Sequence, residues 1–234
     1  MSNFSKTAEE FLEGQVLLIK KPLGWSSFDV VKKIKNVIRT KHKLKKIKVG
    51  HAGTLDPLAT GLLIICTGKF TKRIAEIQRQ EKTYTGTITL GGTTPSYDLE
   101  TEIDKDYETS HITKELIEET IIRFIGTIKQ KPPIFSALKK GGERLYEKAR
   151  RGEKIEIKNR EVNVYEFNII SVDKLDVRFE IKCSKGTYIR SIAHDFGAAL
   201  SSGGYLSKLC RTGIGKYKLS TAFDLETFEK QLNS

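Results

Sequence analysis

The chain has 234 residues, of which 38% are hydrophobic and 30% charged, a composition that excludes a disordered or fibrous chain and suffices for one sizeable core. Lysine and arginine number 41 against 29 aspartate and glutamate residues, and the net charge of +12 suits a polyanion such as RNA or DNA, although a basic surface that only aids solubility is equally compatible. The longest apolar run, 62–66, is too short to cross a membrane, and the N-terminus lacks the layout of a signal peptide.

The cysteines indicate a compartment rather than a site. They are few, odd in number, widely spaced and without a CxxC pair: Cys66, Cys183 and Cys210. This pattern argues against a disulfide framework and against a cysteine-rich zinc site. We therefore expect a reducing, cytoplasmic location and no membrane association.

The first third of the chain predicts two helices, a strand and a basic run. Thr7 can cap a short helix that Gly14 ends, and the apolar run 16–19 predicts a strand. Apolar residues at helical spacing over 28–38, preceded by two serines that could cap it, predict a second helix. Six cations follow within residues 39–48, and they could either contact phosphates or form a solvated face.

The later elements alternate less regularly. Residues 83–90 alternate as a half-buried strand does, with Tyr84 on the apolar face, and 175–183 show the same pattern. Helical spacing recurs over 116–125 and 189–200. Since strands outnumber helices and do not alternate with them, we predict an α+β fold around a largely antiparallel sheet flanked by helices.

No repeat or linker divides the chain, so a single domain over 1–234 is expected. One segment has a different composition from the rest. Residues 129–154 contain Pro132-Pro133, Gly141-Gly142 and five cations from Arg144 onward. A long basic excursion within a compact domain is usually functional.

The densest chemical signal surrounds Asp56. Residues 50–61 contain three glycines and an Asp-Pro step, which rule out a regular helix. Asp56 is therefore held on a shaped loop, before an apolar strand or helix over 62–66. It could act as a nucleophile or base, or it could only hydrogen-bond its own turn, as aspartate commonly does.

Other familiar sites are not indicated. The histidines lack metal-ligand spacing, and no Ser/His/Asp pattern or Walker motif is present. His194-Asp195 is more typical of a surface or capping pair. Arg190 shares the apolar face of its helix and would need an anionic partner if buried, for which Asp56 is one candidate.

Six ordered motifs over roughly residues 10–220 closely resemble the TruB family of tRNA pseudouridine synthases. They are Lys21-Pro22-Leu23-Gly24-Trp25-Ser26-Ser27, Gly50–Gly61 with Asp56, Lys82-Thr83-Tyr84, a block from Gln130 to Gly152, Cys183–Ser191 with Arg190, and Leu206–Gly215. The resemblance implies the pseudouridine-synthase fold, with a basic RNA-gripping insertion at about 129–154. It implies isomerisation of uridine 55 in the tRNA T-loop to pseudouridine, without a cofactor or a metal.

The resemblance also assigns roles to residues. Asp56 would be the nucleophile, Tyr84 would stack on the flipped-out uridine and could relay a proton, and Arg190 would keep the carboxylate ionised. Three further residues would bind the substrate: His51, Tyr188 and Leu209. The expected partner is tRNA alone, with no obligatory protein partner or guide RNA, because too few residues follow Gly215 for the C-terminal PUA domain of many relatives.

Two other functions are compatible with the residues. The chain could be an RNA chaperone whose catalysis is secondary, in which case Asp56→Asn would spare binding and separate the two activities. It could also hydrolyse glycosides, a reaction that usually needs a second carboxylate. Asp98 and Asp195 are weak candidates for that second group.

Overall fold

The computed structural model describes residue 4 and residues 6–136, 138–153 and 155–234. The first elements are α1 (Ala8–Glu13), β1 (Val16–Lys21), α2 (Ser27–Lys41), β2 (Val49–His51), β3 (Ala59–Thr67), α3 (Ile74–Arg79), β4 (Lys82–Leu90), β5 (Gly92–Thr93), β6 (Lys105–Asp106) and α4 (Lys114–Ile121). The later ones are β7 (Gly126–Gln130), β8 (Lys139–Lys140), β9 (Glu143–Arg144), α5 (Leu145–Arg150), β10 (Arg160–Asp173), β11 (Asp176–Cys183), α6 (Ile189–Ala199), β12 (Gly204–Ile214), β13 (Tyr217–Lys218) and α7 (Leu225–Asn233).

The backbone divides into two compact units. The first is Met1–Tyr84 with Leu209–Ser234, and the second is Thr85–Lys208. In the first unit the strand order is β1-β3-β12-β4, with β2 beside β3 and β13 beside β12. In the second unit it is β12-β4-β11-β10-β7, with two small two-stranded sheets, β5-β6 and β8-β9.

The sheets are mixed but mostly antiparallel, which confirms the predicted α+β class. Strand β1 runs antiparallel to β3, and β10 runs antiparallel to both β7 and β11. Strand β3 pairs in parallel with β12, which places Leu209, Cys210 and Arg211 opposite Ala59, Thr60 and Gly61.

The apolar run 62–66 forms a strand because both of its faces are buried. Leu63 and Ile65 join a core packed against α2 and α7, whereas Leu62, Ile64 and Cys66 join a core on the opposite face. Strands buried on both sides carry continuous apolar runs rather than alternating ones.

The predicted helices form close to their expected ends. Thr7 caps α1 and Gly14 follows it. Ser26 caps α2 through a capping box with Asp29, each side chain bonding the other's backbone amide. The predicted helix over 116–125 ends as an α-helix at Ile121 and continues as a 3₁₀ turn over Ile122–Phe124, a common way for an α-helix to end.

The second unit has its own aromatic core. Phe179 on β11 meets Phe167 on β10 edge to face, with ring centroids 5.7 Å apart. The ring of Phe196 on α6 lies 6.0 Å from that of Phe167. The predicted alternation over 175–183 is thus explained, since one face of β11 packs under α6.

Within the described residues, no helix combines the length and apolarity that a membrane span requires.

Candidate active site

Asp56 lies on an irregular loop between β2 and β3, residues 52–58, called here the Asp56 loop. The amide of Ala59 donates a 3.0 Å hydrogen bond to the carbonyl oxygen of Asp56, so the loop ends directly at the first residue of β3. Asp56 is half-buried, whereas Ala52 and Leu55 are fully buried. The loop therefore holds its carboxylate at the boundary between core and solvent.

Arg211 on β12 fixes the first half of the Asp56 loop. Its side chain is buried at 1% exposure. The guanidinium donates from Nη2 to the carbonyl of Gly53 (3.0 Å), from Nη1 to that of Thr54 (3.3 Å) and from Nε to that of Leu62 (2.8 Å). Because the guanidinium presents its donors in a rigid planar fork, these bonds set the loop's path relative to β12.

Ser27, the first residue of α2, holds the middle of the same loop. The amide of Leu55 donates to the Ser27 hydroxyl at 2.8 Å, and that hydroxyl lies 3.1 Å from the Leu55 carbonyl, to which it donates. Both residues are buried. One side chain thus satisfies both backbone groups of the residue that precedes Asp56, which a buried loop requires.

Lys21, the last residue of β1, holds the end of the loop. Its ammonium is buried and donates to the carbonyls of Trp25 (2.6 Å), Pro22 (2.9 Å) and Pro57 (3.3 Å). Those three acceptors match the three N–H groups of an ammonium. Arg211, Ser27 and Lys21 therefore tether the loop on both sides of Asp56.

The charge of Lys21 is coupled to that of Asp56. Burial lowers the pKa of Lys21 to about 8, an effect that the negative charge of Asp56 opposes and the positive charge of Arg211 reinforces. A cation held inside the protein thus interacts electrostatically with Asp56. The arrangement suits a carboxylate that reacts in its ionised form.

His51 ends β2 just before the Asp56 loop. Burial, followed by the positive charge of Arg211, lowers the pKa of His51, so its imidazole is neutral at pH 7. Its Nδ1 is buried and has no hydrogen-bond partner within the described part of the chain. The interaction with the backbone of Gly53 raises the pKa of His51 and so partly opposes the effect of burial.

Leu209 lies on β12, beside β3, and Tyr84 lies on β4, the next strand in the sheet order. Leu209 is half-buried and pairs with Ala59, and its carbonyl accepts a 3.3 Å hydrogen bond from the Thr60 hydroxyl. Tyr84 on β4 is 9% exposed, as expected for an aromatic on the apolar face. The Thr212 hydroxyl on β12 donates to the carbonyl of Thr83 at 3.3 Å. The first unit thus holds four of the six predicted site residues, on β2, β4, β12 and the Asp56 loop.

Arg190 lies in the second unit, in the first turn of α6. It is 3% exposed, and its Nε lies 3.5 Å from Oδ2 of Asp98, which is buried as well. It also donates to the carbonyls of Phe135 (2.9 Å) and Ser96 (3.2 Å). The expectation that a buried Arg190 requires an anionic partner is met by Asp98, which the sequence indicated only as a weak second carboxylate. Its predicted pairing with Asp56 stays a prediction.

Tyr188 immediately precedes α6, and Gln130 holds its backbone. The buried Gln130 side chain donates to the Tyr188 carbonyl at 2.9 Å and accepts from the Tyr188 amide at 2.8 Å. The guanidinium of Arg160 lies over the Tyr188 ring at 4.4 Å, a cation–π geometry. Tyr188 is thus fixed from both its backbone and its ring.

The basic excursion 129–154 contains β8, β9 and α5 in its second half, while Ala137 and Lys154 lie outside the described residues. Two of its cations are paired locally. Arg151 contacts Glu143 at 2.5 Å and Glu153 at 2.7 Å, and Lys148 lies 3.9 Å from Glu143 and 3.7 Å from Glu153. These pairs organise the segment and reduce the charge available to a polyanion.

His194 and Asp195 are half-buried on α6. The His194 ring stacks on Tyr97 with centroids 3.9 Å apart. Burial raises the pKa of Asp195 to about 6 and lowers that of His194. The two residues therefore lie inside the helix and half-buried, and not at a surface or capping position as the sequence suggested.

Sequence reasoning missed the residues that fix the backbone beside the predicted site residues in each unit. Lys21, Gln130 and Arg211 appeared only within the six motifs, and Ser27 was considered there and as a helix cap. Their place inside those motifs was the one available signal, because a buried tether to a backbone carbonyl leaves no periodic pattern. Within the described residues, no group of three or more His, Cys, Asp or Glu side chains could hold a metal ion.

The chain is similar to known proteins over most of its length. Residues 41–189 match the family model described as "TruB family pseudouridylate synthase (N terminal domain)". A tRNA pseudouridine synthase B from Flavobacterium johnsoniae is 60% identical, covering 97% of this chain and 99% of that protein. The protein of the same name from Phocaeicola vulgatus is 52% identical, covering 95% of each chain.

Solved structures share the fold. The crystal structure of a Cbf5-Nop10-Gar1 complex contains a chain with a TM-score of 0.72 and 28% identity to this one. The match covers 94% of this chain and 54% of that chain, so this chain spans about half the length of its solved relative.

Proposed function

Since the chain belongs to the TruB family of pseudouridylate synthases, we propose that it converts uridine 55 in the T-loop of tRNA to pseudouridine, with Asp56 as the nucleophile. The observation that carries the proposal is the tethering of the Asp56 loop by Arg211, Ser27 and Lys21. Three buried side chains hold this one short loop, as expected where a carboxylate must be positioned precisely for a reaction.

The proposed reaction needs no oxidant, reductant or energy source. The bond between N1 of uracil and C1′ of ribose breaks, and a bond between C5 and C1′ forms in its place. The hydrogen on C5 leaves as a proton, and N1 gains one. Asp56 starts the exchange either by attacking C1′ or by removing a ribose proton to give a glycal, and both routes require the ionised carboxylate.

The proposed roles of the other site residues follow because the target uridine must be flipped out of the T-loop to reach Asp56. Flipping a uridine out of a folded loop costs a few kcal/mol, and stacking on Tyr84 compensates part of that cost. We propose that Arg190 favours the ionised form of the nucleophile. We also propose that His51, Tyr188 and Leu209 bind the flipped nucleotide and its neighbours.

The proposed partner is tRNA alone. Relatives named tRNA pseudouridine synthase B match nearly the whole length of the chain, and the net charge of +12 suits an RNA ligand. We propose a cytoplasmic enzyme without a cofactor, guide RNA or obligatory protein partner, acting as a single catalytic domain in which 129–154 contacts the RNA.

The test is tritium release from an unmodified tRNA transcript that carries 5-tritiated uridine. Because isomerisation must free the C5 hydrogen, stoichiometric release is expected. A transcript with cytidine at position 55 is the matched control, and it should release none. Absence of release from the first transcript, or equal release from both, would contradict the assignment of uridine 55.

A further inference from the structure

Most exposed large hydrophobic side chains of the first unit come from two short segments whose backbones are in contact, 23–28 and 57–58. In the described part of that unit there are five, and Leu12 is the one that lies elsewhere. The other four form what we call the Trp25 surface: Leu23 (63% exposed), Trp25 (37%), Phe28 (69%) and Leu58 (38%). Exposed apolar side chains that cluster in this way mark an interaction site more often than scattered ones do.

The Trp25 surface adjoins the Asp56 loop. Its members come from two segments that are far apart in sequence, and backbone contacts join those segments. The amide of Gly24 donates to the carbonyl of Pro57 at 2.9 Å, and the Lys21 ammonium bridges the carbonyls of Trp25 and Pro57. Leu58 follows Asp56 by two residues, so whatever covers this surface also borders the reactive carboxylate.

The surface is held rigidly although it is exposed. Trp25 immediately precedes the Ser26–Asp29 capping box, and Phe28 lies within the first turn of α2. The Lys21 ammonium fixes the backbone carbonyl of Trp25. Aromatic side chains on a fixed backbone lose little conformational entropy when a ligand stacks on them.

A basic groove runs from this surface along α2. A cavity of about 470 Å³ is lined by Gly24, Trp25, Asp29, Lys32, Lys33 and Asn36. Asn36 also lines a second cavity of about 420 Å³, with Arg39, Lys43 and Lys45 among its walls. Lys33 is engaged with Glu229 at 2.5 Å. Lys32 is exposed. Hydrogen bonds from Ser26, and to a smaller extent the positive charge of Lys32, lower the pKa of Asp29 in the same cavity wall. The aromatic ring of Trp25 at one end of the groove suits a base, and the cationic side chains along the groove suit the phosphates of the backbone.

We propose that the Trp25 surface binds an unpaired nucleotide of the RNA substrate, with its base stacked on Trp25 and its phosphate at Lys32. The proposal rests on the proposed function, since it takes the ligand to be the RNA whose target uridine meets Asp56. The groove that passes Arg39, Lys43 and Lys45 then follows the next phosphates, which gives the basic run 39–48 a ligand.

The chain offers a direct test because Trp25 is its single tryptophan, so the intrinsic tryptophan fluorescence reports on this surface. Asp56→Asn protein is titrated with unmodified tRNA transcript while fluorescence and acrylamide quenching are followed. We expect the fluorescence to fall and the acrylamide quenching to weaken, with the same midpoint as filter binding. Unchanged fluorescence and quenching at saturating tRNA would overturn the proposal.

Affinity measurements provide a second test with a matched control. Trp25→Ala and Lys32→Gln should each weaken tRNA binding, by about tenfold to a hundredfold for the stacking residue. Ile170→Ala removes an exposed apolar side chain from β10, and it should leave affinity and tritium release unchanged. Thermal melting verifies that each variant is folded.

The outcomes separate this proposal from the proposed function. Unaltered affinity in both groove variants, with normal tritium release by the wild-type protein, would refute the Trp25 surface alone. Absence of release by the wild-type protein would refute the proposed function instead. A third outcome is that the protein self-associates in a concentration-dependent way, that Trp25→Ala abolishes this, and that the fluorescence does not respond to tRNA. It would identify a second copy of the chain as the occupant and overturn the proposal.

Discussion

Gly61 and Arg211 lie directly opposite each other in the parallel pair of β3 and β12, at a distance that leaves no space for a side chain on Gly61. A Cβ at Gly61 would stand 2.4 Å from the carbonyl oxygen of Arg211 and 2.6 Å from its amide nitrogen. On its other side, Gly61 pairs with Lys21 of the antiparallel neighbour β1. The two cations that tether the Asp56 loop are therefore the strand neighbours of one glycine, and the spacing of three strands decides where Asp56 stands.

Gly61→Ala should destabilise the protein strongly. Gly61 has φ +106°, which a side chain rarely adopts, and the added Cβ would collide with the backbone of β12. We expect the free energy of unfolding in urea to fall by about 3 kcal/mol or more.

Gly24→Ala is the matched control for that change. Gly24 also has a positive φ, +80°, but its Cβ would meet nothing within 4 Å. Its loss of stability should be about 1 kcal/mol. Equal losses at the two glycines would mean that backbone conformation, and not the contact with Arg211, decides the cost.

Arg211→Lys should lower the catalytic rate more than substrate binding. Lysine keeps the positive charge but lacks the planar fork that reaches Gly53, Thr54 and Leu62 together. A misplacement of Asp56 by a fraction of an ångström should reduce kcat by about tenfold to a hundredfold and leave KM within about threefold.

A stability control accompanies that kinetic measurement. Phe228→Leu removes volume from the core that α7 packs into, far in sequence from the Asp56 loop, and it should reduce the melting temperature without reducing kcat. If Arg211→Lys lowers only the melting temperature as well, the guanidinium has a merely structural role.

Lys21 should produce an alkaline loss of activity. Its pKa is about 8 in the folded protein, so above that pH the ammonium becomes an amine with two N–H groups for three carbonyl acceptors. The charge that interacts with Asp56 is lost at the same time. We expect kcat to fall as pH rises through 8, and in Lys21→Arg the fall should move above pH 9.

Folding stability should change in the opposite direction. The unfolded state, with the ordinary lysine pKa near 10.4, binds more protons than the folded state between pH 8 and 10. The contribution of Lys21 to the free energy of unfolding therefore rises with pH in that window. An alkaline fall in kcat that coincides with unfolding, or that Lys21→Arg does not move, would contradict this account.

Gln130→Ala should destabilise the second unit. The buried Gln130 side chain satisfies both backbone groups of Tyr188, and its removal leaves a buried donor and acceptor unpaired. The expected loss is about 2 kcal/mol in the free energy of unfolding. Thr127→Val on the same strand removes an exposed hydrogen bond to Asn163 and should cost less than about 0.5 kcal/mol. Similar costs would mean that Gln130 is replaceable by water.

The local elements were predictable because their signals are local. The caps at Thr7 and Ser26, the helical spacing of α2 and α6 and the alternation of β11 each lie within a few residues. The loop around Asp56 was predictable for the same reason, since glycines and an Asp-Pro step exclude a helix. These local signals were enough to predict an α+β fold.

The tethers were not predictable because each joins residues far apart in sequence. Arg211 bonds to Gly53 from 158 positions away, and Arg190 meets Asp98 on a different segment of the second unit. In the sequence, Lys21 and Arg211 are two of 41 cations, and nothing near them marks them as the buried ones. Only the register of β1 and β12 against β3 brings them to the Asp56 loop.

The measurement that tests the central claim most directly is single-turnover tritium release by Asp56→Asn, with tRNA affinity measured on the same protein. We predict no detectable release and an affinity within about threefold of wild type, because the substitution keeps the shape and removes only the charge. Asp195→Asn, a second half-buried aspartate of this chain, is the matched control and should release tritium normally. Wild-type release by Asp56→Asn, or its loss in Asp195→Asn alone, would contradict the assignment of Asp56 as the nucleophile.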